Sequence, residues 1–246
     1  MTIQHLIYLF FIGLSITSLN LLLLFLKKQK YTKYAIIPKL IVSVCFYIGT
    51  YLVSAHLPVY DIFATLQNII LIVILLGFIY NKHPERQGNI NVLWFFVLIL
   101  ELFILSQNKD ISGDYYMYDK TYVILFFQLR IASMGLFVFA MINLVASLLQ
   151  KKDISIQDQL IHRARNYTIL GSVVFLSGEF WGSYWCFLWW GDPWHWSKGF
   201  FVASVMFMLS MLGSHLPFNL ANTRQKKAIY SLVTLCLILT SYLLPH

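Results

Sequence analysis

The sequence predicts an all-α, polytopic integral membrane protein, a bundle of about eight transmembrane helices. Of its 246 residues, 59% are apolar and 11% are charged, whereas a soluble domain carries about a quarter charged residues. Apolar stretches of about 20 residues, the length of a helix that crosses the hydrocarbon core, recur along the whole chain. Segments of about ten residues with alternating polarity, which build a membrane barrel, are absent.

Eight apolar spans follow one another, with no internal repeat and no separate soluble domain. They cover residues 4–26, 35–55, 62–81, 91–107, 121–149, 167–188, 198–218 and 228–245. We therefore predict a single membrane domain over residues 1–246. The first span lacks a basic n-region and a small-residue cleavage site, so we expect a true first helix rather than a signal peptide. Residues 151–166, ahead of the sixth span, have the pattern of a short amphipathic helix on the membrane surface.

The charged residues of the loops predict the orientation of the chain. Thirteen Lys and Arg residues lie in the loops after spans one, three, five and seven, and three lie in the opposite loops. Cytoplasmic loops carry such an excess of basic residues. We therefore expect a multi-pass protein of the plasma (inner) membrane, with both termini and the loop after span six facing the periplasm or the exterior. The net charge of +8 belongs to these loops and does not indicate a nucleic-acid partner.

Three ionisable residues, Glu101, Arg130 and Glu179, are predicted to lie well inside spans. Such residues cost several kcal/mol unless they are paired or face a cavity, so each is a candidate functional residue. One hypothesis is a structural pair of Arg130 and Glu179 that joins spans five and six. The other is that Arg130 faces a ligand cavity and binds a carboxylate through two parallel hydrogen bonds. Lys39 lies near the inner end of span two, where we expect it to snorkel to the interface.

Two histidines are candidate ligands. His215 is predicted in apolar span seven, near its inner end, and neutral imidazole is a common metal ligand, including of haem iron. A lone His on an apolar helix more often makes an interhelical hydrogen bond, so both roles stay open for His215. His56 lies at the outer end of span two, from where it could reach a site beneath the loop after span six.

Tryptophan is concentrated in one short stretch. Six of the seven tryptophans lie between Trp181 and Trp196, in a segment, 181–197, that we predict to be an outer Trp-rich loop. Trp is enriched at membrane–water interfaces, so a belt of rings among the lipid headgroups is one interpretation. A belt needs only one or two rings per helix end, however, and small, turn-forming residues interrupt this array. We therefore favour a kinked loop whose rings line a binding surface for a flat ligand.

The spacing within this stretch follows a known pattern: a Gly, a Trp three residues later and, five residues further on, W-G-x-x-W-x-W-D. The matching positions are Gly182, Trp185, Trp190, Gly191, Trp194 and Trp196. In proteins with this motif, the span before it has glycines with the spacing of Gly171, Gly178 and Gly182. An earlier span in those proteins opens with the segment P-x-x-N-x-Y-E, which residues 58–63 resemble. In these features the chain resembles the cytochrome c assembly proteins of the CcsA, CcmC and CcmF type, with their haem-binding WWD domain, and CcsA most closely.

The chain departs from this family pattern at several positions. Ser197 stands where the motif ends in Asp. The first outer axial histidine of the family belongs near the start of span five, where this chain has Gln128, Leu129 and Arg130. The second outer histidine, near the last span, also has no evident counterpart. His215, by contrast, stands eighteen residues after Ser197, where CcsA-type proteins have a histidine within the following span.

The resemblance implies a protein that binds haem b at the outer membrane face and presents it to the Cys-x-x-Cys-His segment of an apocytochrome c. A protein of this type contributes orientation and redox protection, because the thioether bonds join the partner's thiols to the haem vinyl groups. The resemblance implies that the motif residues and Trp181 contact the faces of the porphyrin and that Arg130 binds a propionate. It implies that His215 ligates the iron, and His56 is a further candidate for binding haem. It also implies contact with membrane lipid and a CcsB-like partner subunit, and it leaves open whether the chain is a component of a cytochrome c synthase.

Two other function classes stay open. A degenerate relative that has lost haem ligation would act as a structural subunit or scaffold of a membrane complex, and the missing outer histidines favour this alternative. A transporter of protons or small molecules would use Arg130 and Glu179 as its binding site. An inverted repeat would support a transporter, and the sequence contains none that is evident.

Overall fold

The computed structural model describes residues 2–26, 34–57, 61–81, 90–111, 119–150, 153–193, 198–216 and 221–243. These residues form eight helices and no strand, which confirms the predicted all-α fold. The helices are α1 (Ile3–Phe25), α2 (Ile36–Ser54), α3 (Ile62–Asn81), α4 (Ile90–Leu105), α5 (Thr121–Leu149), α6 (Ile154–Trp190), α7 (Lys198–Ser214) and α8 (Arg224–Leu243).

Five of these helices, α1, α2, α3, α5 and α8, are long and apolar enough to cross a membrane, and α4 and α7 are shorter apolar helices. The chain is therefore a helical membrane protein. Helix α6 is long enough but is not among the five, since charged residues in its first half and Trp, Tyr, Gly and Ser in its second half lower its hydropathy. The eight-span topology with both termini outside stays a prediction.

The helices divide into two compact units, Met1–Lys120 and Thr121–His246. In the first unit, α1 and α3 each pack against both α2 and α4. Its core contains Phe63, whose ring packs edge-to-face on those of Phe10 and Phe46 with centroid distances of 5.8 and 5.2 Å. This division does not decide whether residues 1–246 act as a single membrane domain, which stays a prediction.

A buried ion pair joins α2 to α4 in the first unit. The ammonium of Lys39 contacts Oε1 of Glu101, and the two side chains are 1% and 0% exposed. The expectation that Lys39 snorkels to the interface is therefore wrong, because a carboxylate in the interior holds its ammonium. Pairing offsets the cost of several kcal/mol that an isolated charge carries inside a membrane helix.

In the second unit, α5 and α6 pack closely against each other, and α7 and α8 complete the unit. Glycines of α6 permit this close approach. A Cβ on Gly171 would lie 2.7 Å from the ring of Phe137, and a Cβ on Gly182 would lie 2.6 Å from the ring of Phe126. Gly178 also lies against α5, where a Cβ would be 3.3 Å from the carbonyl oxygen of Phe126. The three glycines with the CcsA-type spacing therefore form the face of α6 that contacts α5.

Helix α6 has 37 residues, which makes it about 56 Å long at the α-helical rise. The Asp153 carboxylate caps its beginning by accepting hydrogen bonds from the N–H groups of Ser155 and Ile156. Gly191, in the left-handed conformation with φ of 73°, ends the helix and donates its N–H to the carbonyl of Phe187. Because the hydrocarbon core is only about 30 Å thick, part of α6 extends beyond it.

The length of α6 corrects two predictions. The amphipathic segment 151–166 is not a separate helix, because its residues from Ile154 onward are the first part of α6. The segment 181–197 is not a loop throughout, because its residues up to Trp190 continue the same helix. Trp194 and Trp196 lie outside the described residues.

Candidate functional site

Aromatic side chains gather where α5 begins and α6 ends. We call the following set the aromatic cluster: Tyr122, Phe126 and Phe127 of α5 with Trp181, Tyr184, Trp185, Trp189 and Trp190 of α6. Trp185 links the two helices, because its ring centroid lies 5.9 Å from that of Phe126 and 6.3 Å from that of Phe127. Trp190 lies 6.4 Å from Trp185, and the indole N–H of Trp189 donates to the hydroxyl of Tyr122 at 3.4 Å.

The rings of this cluster are tilted or perpendicular to one another. Trp185 and Trp190 meet at 45°, and Trp181 meets Tyr184 at 86°. The described rings therefore do not form one flat floor, which corrects that part of the predicted binding surface. The helical backbone is the cause, since successive side chains of α6 point in different directions around its axis.

Two features of the cluster are nevertheless typical of a surface that receives a ligand. Trp189 and Trp190 are 42% and 55% exposed, so the end of α6 presents aromatic side chains at the surface. The indole N–H of Trp185 is buried and has no hydrogen-bond acceptor among the described residues. A buried donor of this kind usually has a partner.

Arg130 lies one turn deeper along α5 than Phe126. Its Nε and one Nη donate to the two carboxylate oxygens of Glu179, at 2.6 and 2.9 Å. The predicted pair of these two residues is thereby confirmed as a contact that joins α5 to α6. This mutual engagement favours a structural link over the proton site of a transporter.

The guanidinium of Arg130 still has capacity to bind an anion. Its carbon lies 4.1 Å from the ring centroid of Phe126, which also contacts Trp185. A guanidinium has five N–H donors, and the two bonds to Glu179 are those that it makes in the described part of the chain. The Arg130 side chain is 20% exposed, and its guanidinium touches the aromatic cluster through Phe126.

His215 lies at the other end of the second unit. The prediction that His215 lies inside an apolar span is wrong. His215 is exposed and directly follows Ser214, the last residue of α7. The Nε of Arg165 donates to the carbonyl of Ser214 at 3.1 Å, which places His215 beside the first half of α6. Trp185 is twenty residues further along the same helix, about 30 Å away. His215 and the aromatic cluster therefore do not form one site.

His56 belongs to the first unit, where it is buried just after α2. Its Nδ1 lies 2.8 Å from the carbonyl oxygen of Leu57, which accepts a hydrogen bond from the ring. A contribution of His56 to a site on the second unit stays a prediction. His195, inside the Trp-rich segment, lies outside the described residues.

A cavity of about 1130 Å³ opens beside His215. We call it the basic cavity, because its ionisable lining residues are Arg165, Arg224, Lys227, His162, His215 and Asp158. These residues come from the beginning of α6, the end of α7 and the beginning of α8. The sequence analysis missed this cavity, although its three basic side chains belong to the loops and helix ends that carry the charge asymmetry.

Arg224 and Asp158 form an exposed ion pair at the mouth of the basic cavity, with 2.5 Å between Nε and Oδ1. The hydrogen bond from Arg224 holds the pKa of the Asp158 carboxyl below its ordinary value of 3.8. The same bond raises the pKa of the Arg224 guanidinium. The pair joins α6 to α8 and leaves Lys227 and Arg165 as uncompensated cations of the lining.

No protein-family model and no curated protein matches this chain. The CcsA-like assignment therefore stays a prediction that rests on the motif residues. No group of three or more His, Cys, Asp and Glu side chains among the described residues is arranged to hold a metal ion.

The aromatic cluster can be compared with what haem requires. The exposed rings of Trp189 and Trp190 offer apolar contact for a porphyrin, and the free donors of Arg130 offer a partner for a carboxylate. The described residues of the second unit place no imidazole at this end of α6. They offer aromatic contact and one cation for a carboxylate, and they do not supply an axial ligand for the iron of haem.

Proposed function

We propose that this chain is a membrane protein of the cytochrome c assembly type, which receives haem b at the aromatic cluster and presents it to an apocytochrome c. The observation that carries the proposal is the position of Arg130. Its guanidinium is fixed by Glu179 and lies against the ring of Phe126, which contacts Trp185 in the aromatic cluster. A cation at the edge of an apolar aromatic surface suits a flat, apolar ligand with carboxylates on one side.

In this proposal Arg130 binds a propionate and thereby sets the direction in which the ring lies. Glu179 is a positioning residue, because its two hydrogen bonds hold the guanidinium plane between α5 and α6. Trp185 and Trp190 contact the apolar part of the ligand, and the buried indole N–H of Trp185 is a second donor for an anionic group. Bound haem would supply the vinyl groups to which the thiols of the partner add.

Orientation toward a partner requires this end of the second unit to face the outside of the plasma membrane, as the loop charges predict. The partner is an apocytochrome c, and the resemblance to CcsA implies a CcsB-like subunit that completes the assembly. Iron ligation would come from outside the described residues of the second unit, and His195 in the Trp-rich segment is the nearest candidate in the sequence.

Titration of the purified full chain with haemin in a mild detergent tests the proposal. We expect a shift of the Soret band and quenching of tryptophan fluorescence, both saturating with haemin. The variant Arg130→Lys keeps the charge but loses the planar fork, and we expect it to weaken binding about tenfold. Trp185→Leu removes one ring contact and should weaken binding about fivefold.

Two matched variants separate a specific effect from a general loss of structure. Trp94→Phe changes a buried tryptophan of α4 in the first unit, and His215→Ala changes the histidine about 30 Å from the cluster. Both should bind haemin at the aromatic cluster as the wild type does. Binding no tighter than to empty detergent micelles, or equal losses in Trp94→Phe and Trp185→Leu, would rule the haem proposal out.

A scaffold function is the second candidate, and the tilt of the described rings favours it. Rings that pack edge-to-face stabilise the contact between α5 and α6 without offering a flat floor. A scaffold of this kind would leave haemin unbound in the same titration. It would instead co-purify with other subunits of a membrane complex, and Trp185→Leu would reduce the thermal stability of the chain.

A further inference from the structure

The basic cavity of the second unit lies at the level where its apolar helices end. Helix α7 stops at Ser214, and α8 contains no charged residue after Lys227. On the side of these residues that continues into the apolar helices, the side chains of Leu170 in α6 and Ile229 in α8 are 48% and 47% exposed. Such a junction of basic and exposed apolar side chains is the position of lipid headgroups beside a membrane protein.

The walls of the basic cavity are held by contacts between helices. Gly213 lets α7 approach α8, because a Cβ there would lie 2.4 Å from the hydroxyl of Thr234, and Ser231 donates to the Gly213 carbonyl at 2.8 Å. Ser172 donates to Ser210 at 2.9 Å and joins α6 to α7. Below these contacts the helix ends leave the opening of about 1130 Å³, which is as large as a small-molecule pocket.

The charge of the lining selects an anion. Three basic side chains face one acidic side chain, which leaves a net charge of +2 with the histidines neutral. Arg165 uses Nε to bind the Ser214 carbonyl, and no other hydrogen bond of its guanidinium is made in the described part of the chain. Lys227 makes no side-chain hydrogen bond there. Both cations are therefore available to an incoming group.

We propose that the basic cavity binds the phosphate-bearing headgroup of an anionic phospholipid. Arg165 and Lys227 hold the phosphate, and the acyl chains run from there along the apolar parts of α6 and α8, past Leu170 and Ile229. Basic pockets between membrane helices on the cytoplasmic side commonly take such headgroups, and the loop charges predict that this end of the chain faces the cytoplasm. This site is about 30 Å from the aromatic cluster and does not depend on the function proposed for that cluster.

Native mass spectrometry of the detergent-purified full chain tests the proposal, with phosphatidylglycerol and phosphatidylcholine of identical acyl chains as probes. Phosphatidylglycerol should bind more tightly. Because one basic residue near an anionic headgroup contributes about a fivefold factor, Lys227→Gln and Arg165→Gln should each weaken its binding by about that amount. Asp158→Asn removes the acidic side chain of the lining and should strengthen it by a similar factor.

Arg163→Gln is the matched control, because Arg163 lies on the same helix two residues from Arg165 and does not line the cavity. It should change binding less than about twofold. Lys227→Gln keeps the test valid even if Arg165→Gln disturbs the end of α7. Equal binding of the two lipids, or equal effects of Arg163→Gln and Lys227→Gln, would overturn the proposal.

Soluble phosphates distinguish a lipid from a free anion. Inorganic phosphate and glycerol phosphate should compete only weakly with phosphatidylglycerol, because they lack the acyl chains that contact Leu170 and Ile229. If either of them binds as tightly as the lipid, the cavity is a site for a soluble phosphate and the lipid assignment is wrong.

Discussion

Removal of one partner of the buried pair of Lys39 and Glu101 should destabilise the first unit more than any other single charge substitution considered above. In Glu101→Leu the ammonium of Lys39 remains in the interior, where its side chain is 1% exposed. The uncompensated charge should lower the free energy of unfolding by about 3–5 kcal/mol. The carboxylate is already incompletely satisfied, since its Oε2 has no hydrogen-bond partner among the described residues.

The double variant Lys39→Met with Glu101→Leu separates the charge from the packing. With both charges replaced by apolar groups of similar size, the free energy of unfolding should return to within about 1 kcal/mol of the wild type, or exceed it. The assay is equilibrium unfolding in mixed micelles of a mild detergent and dodecyl sulfate, followed by far-ultraviolet circular dichroism. The matched control is Asp158→Asn, which breaks an exposed pair and should have a much smaller effect.

Two outcomes would contradict this reasoning. A loss in Glu101→Leu as small as that in Asp158→Asn would mean that Lys39 reaches water and that the pair is not buried. A double variant as unstable as Glu101→Leu would mean that the side chains contribute by their shape, and that the charge left behind is not the cause of the loss.

Two further predictions concern the second unit. Gly182→Leu should lower the free energy of unfolding by about 1–3 kcal/mol, since even a Cβ there would lie 2.6 Å from the Phe126 ring. Adding Phe126→Leu should restore part of the lost stability. Equal unfolding midpoints of Gly182→Leu and the wild type would refute this prediction. Because Arg224 lowers the pKa of Asp158 in the folded chain, the stability from this pair is present above the ordinary value of 3.8 and is lost as the pH falls through the lower, folded pKa. Thermal unfolding from pH 5 to pH 2 should show this loss in the wild type, and an equally steep loss in Asp158→Asn would exclude the pair as its source.

The helices of this protein could be predicted from local signals. The predicted spans over residues 62–81 and 121–149 coincide with α3 and α5, and the first, second and fourth spans agree with their helices to within two residues at each end. The sixth, seventh and eighth spans differ from their helices by four residues or more at one end. Even the extent of α6 has a local signal: Asp153 can cap a helix, and Gly191 followed two residues later by Pro193 can end one. The prediction gave more weight to the turn-forming residues around the tryptophans than to these caps, and it therefore placed a loop where the helix continues.

What the sequence by itself determined is the all-α membrane class, because apolar spans of sufficient length must satisfy their backbone groups as helices in lipid. The contact of Arg130 with Glu179 was also predictable, from equal depth in neighbouring spans. Only the tertiary structure decided that Lys39 meets Glu101, 62 residues away, and that three helix ends surround one basic cavity. It also decided that His215 and the described tryptophans of α6 lie at opposite ends of the second unit. These relations depend on which faces of the helices pack against each other. The packing of two helix faces depends on the shapes of both surfaces, and the spacing of residues along the chain does not specify it.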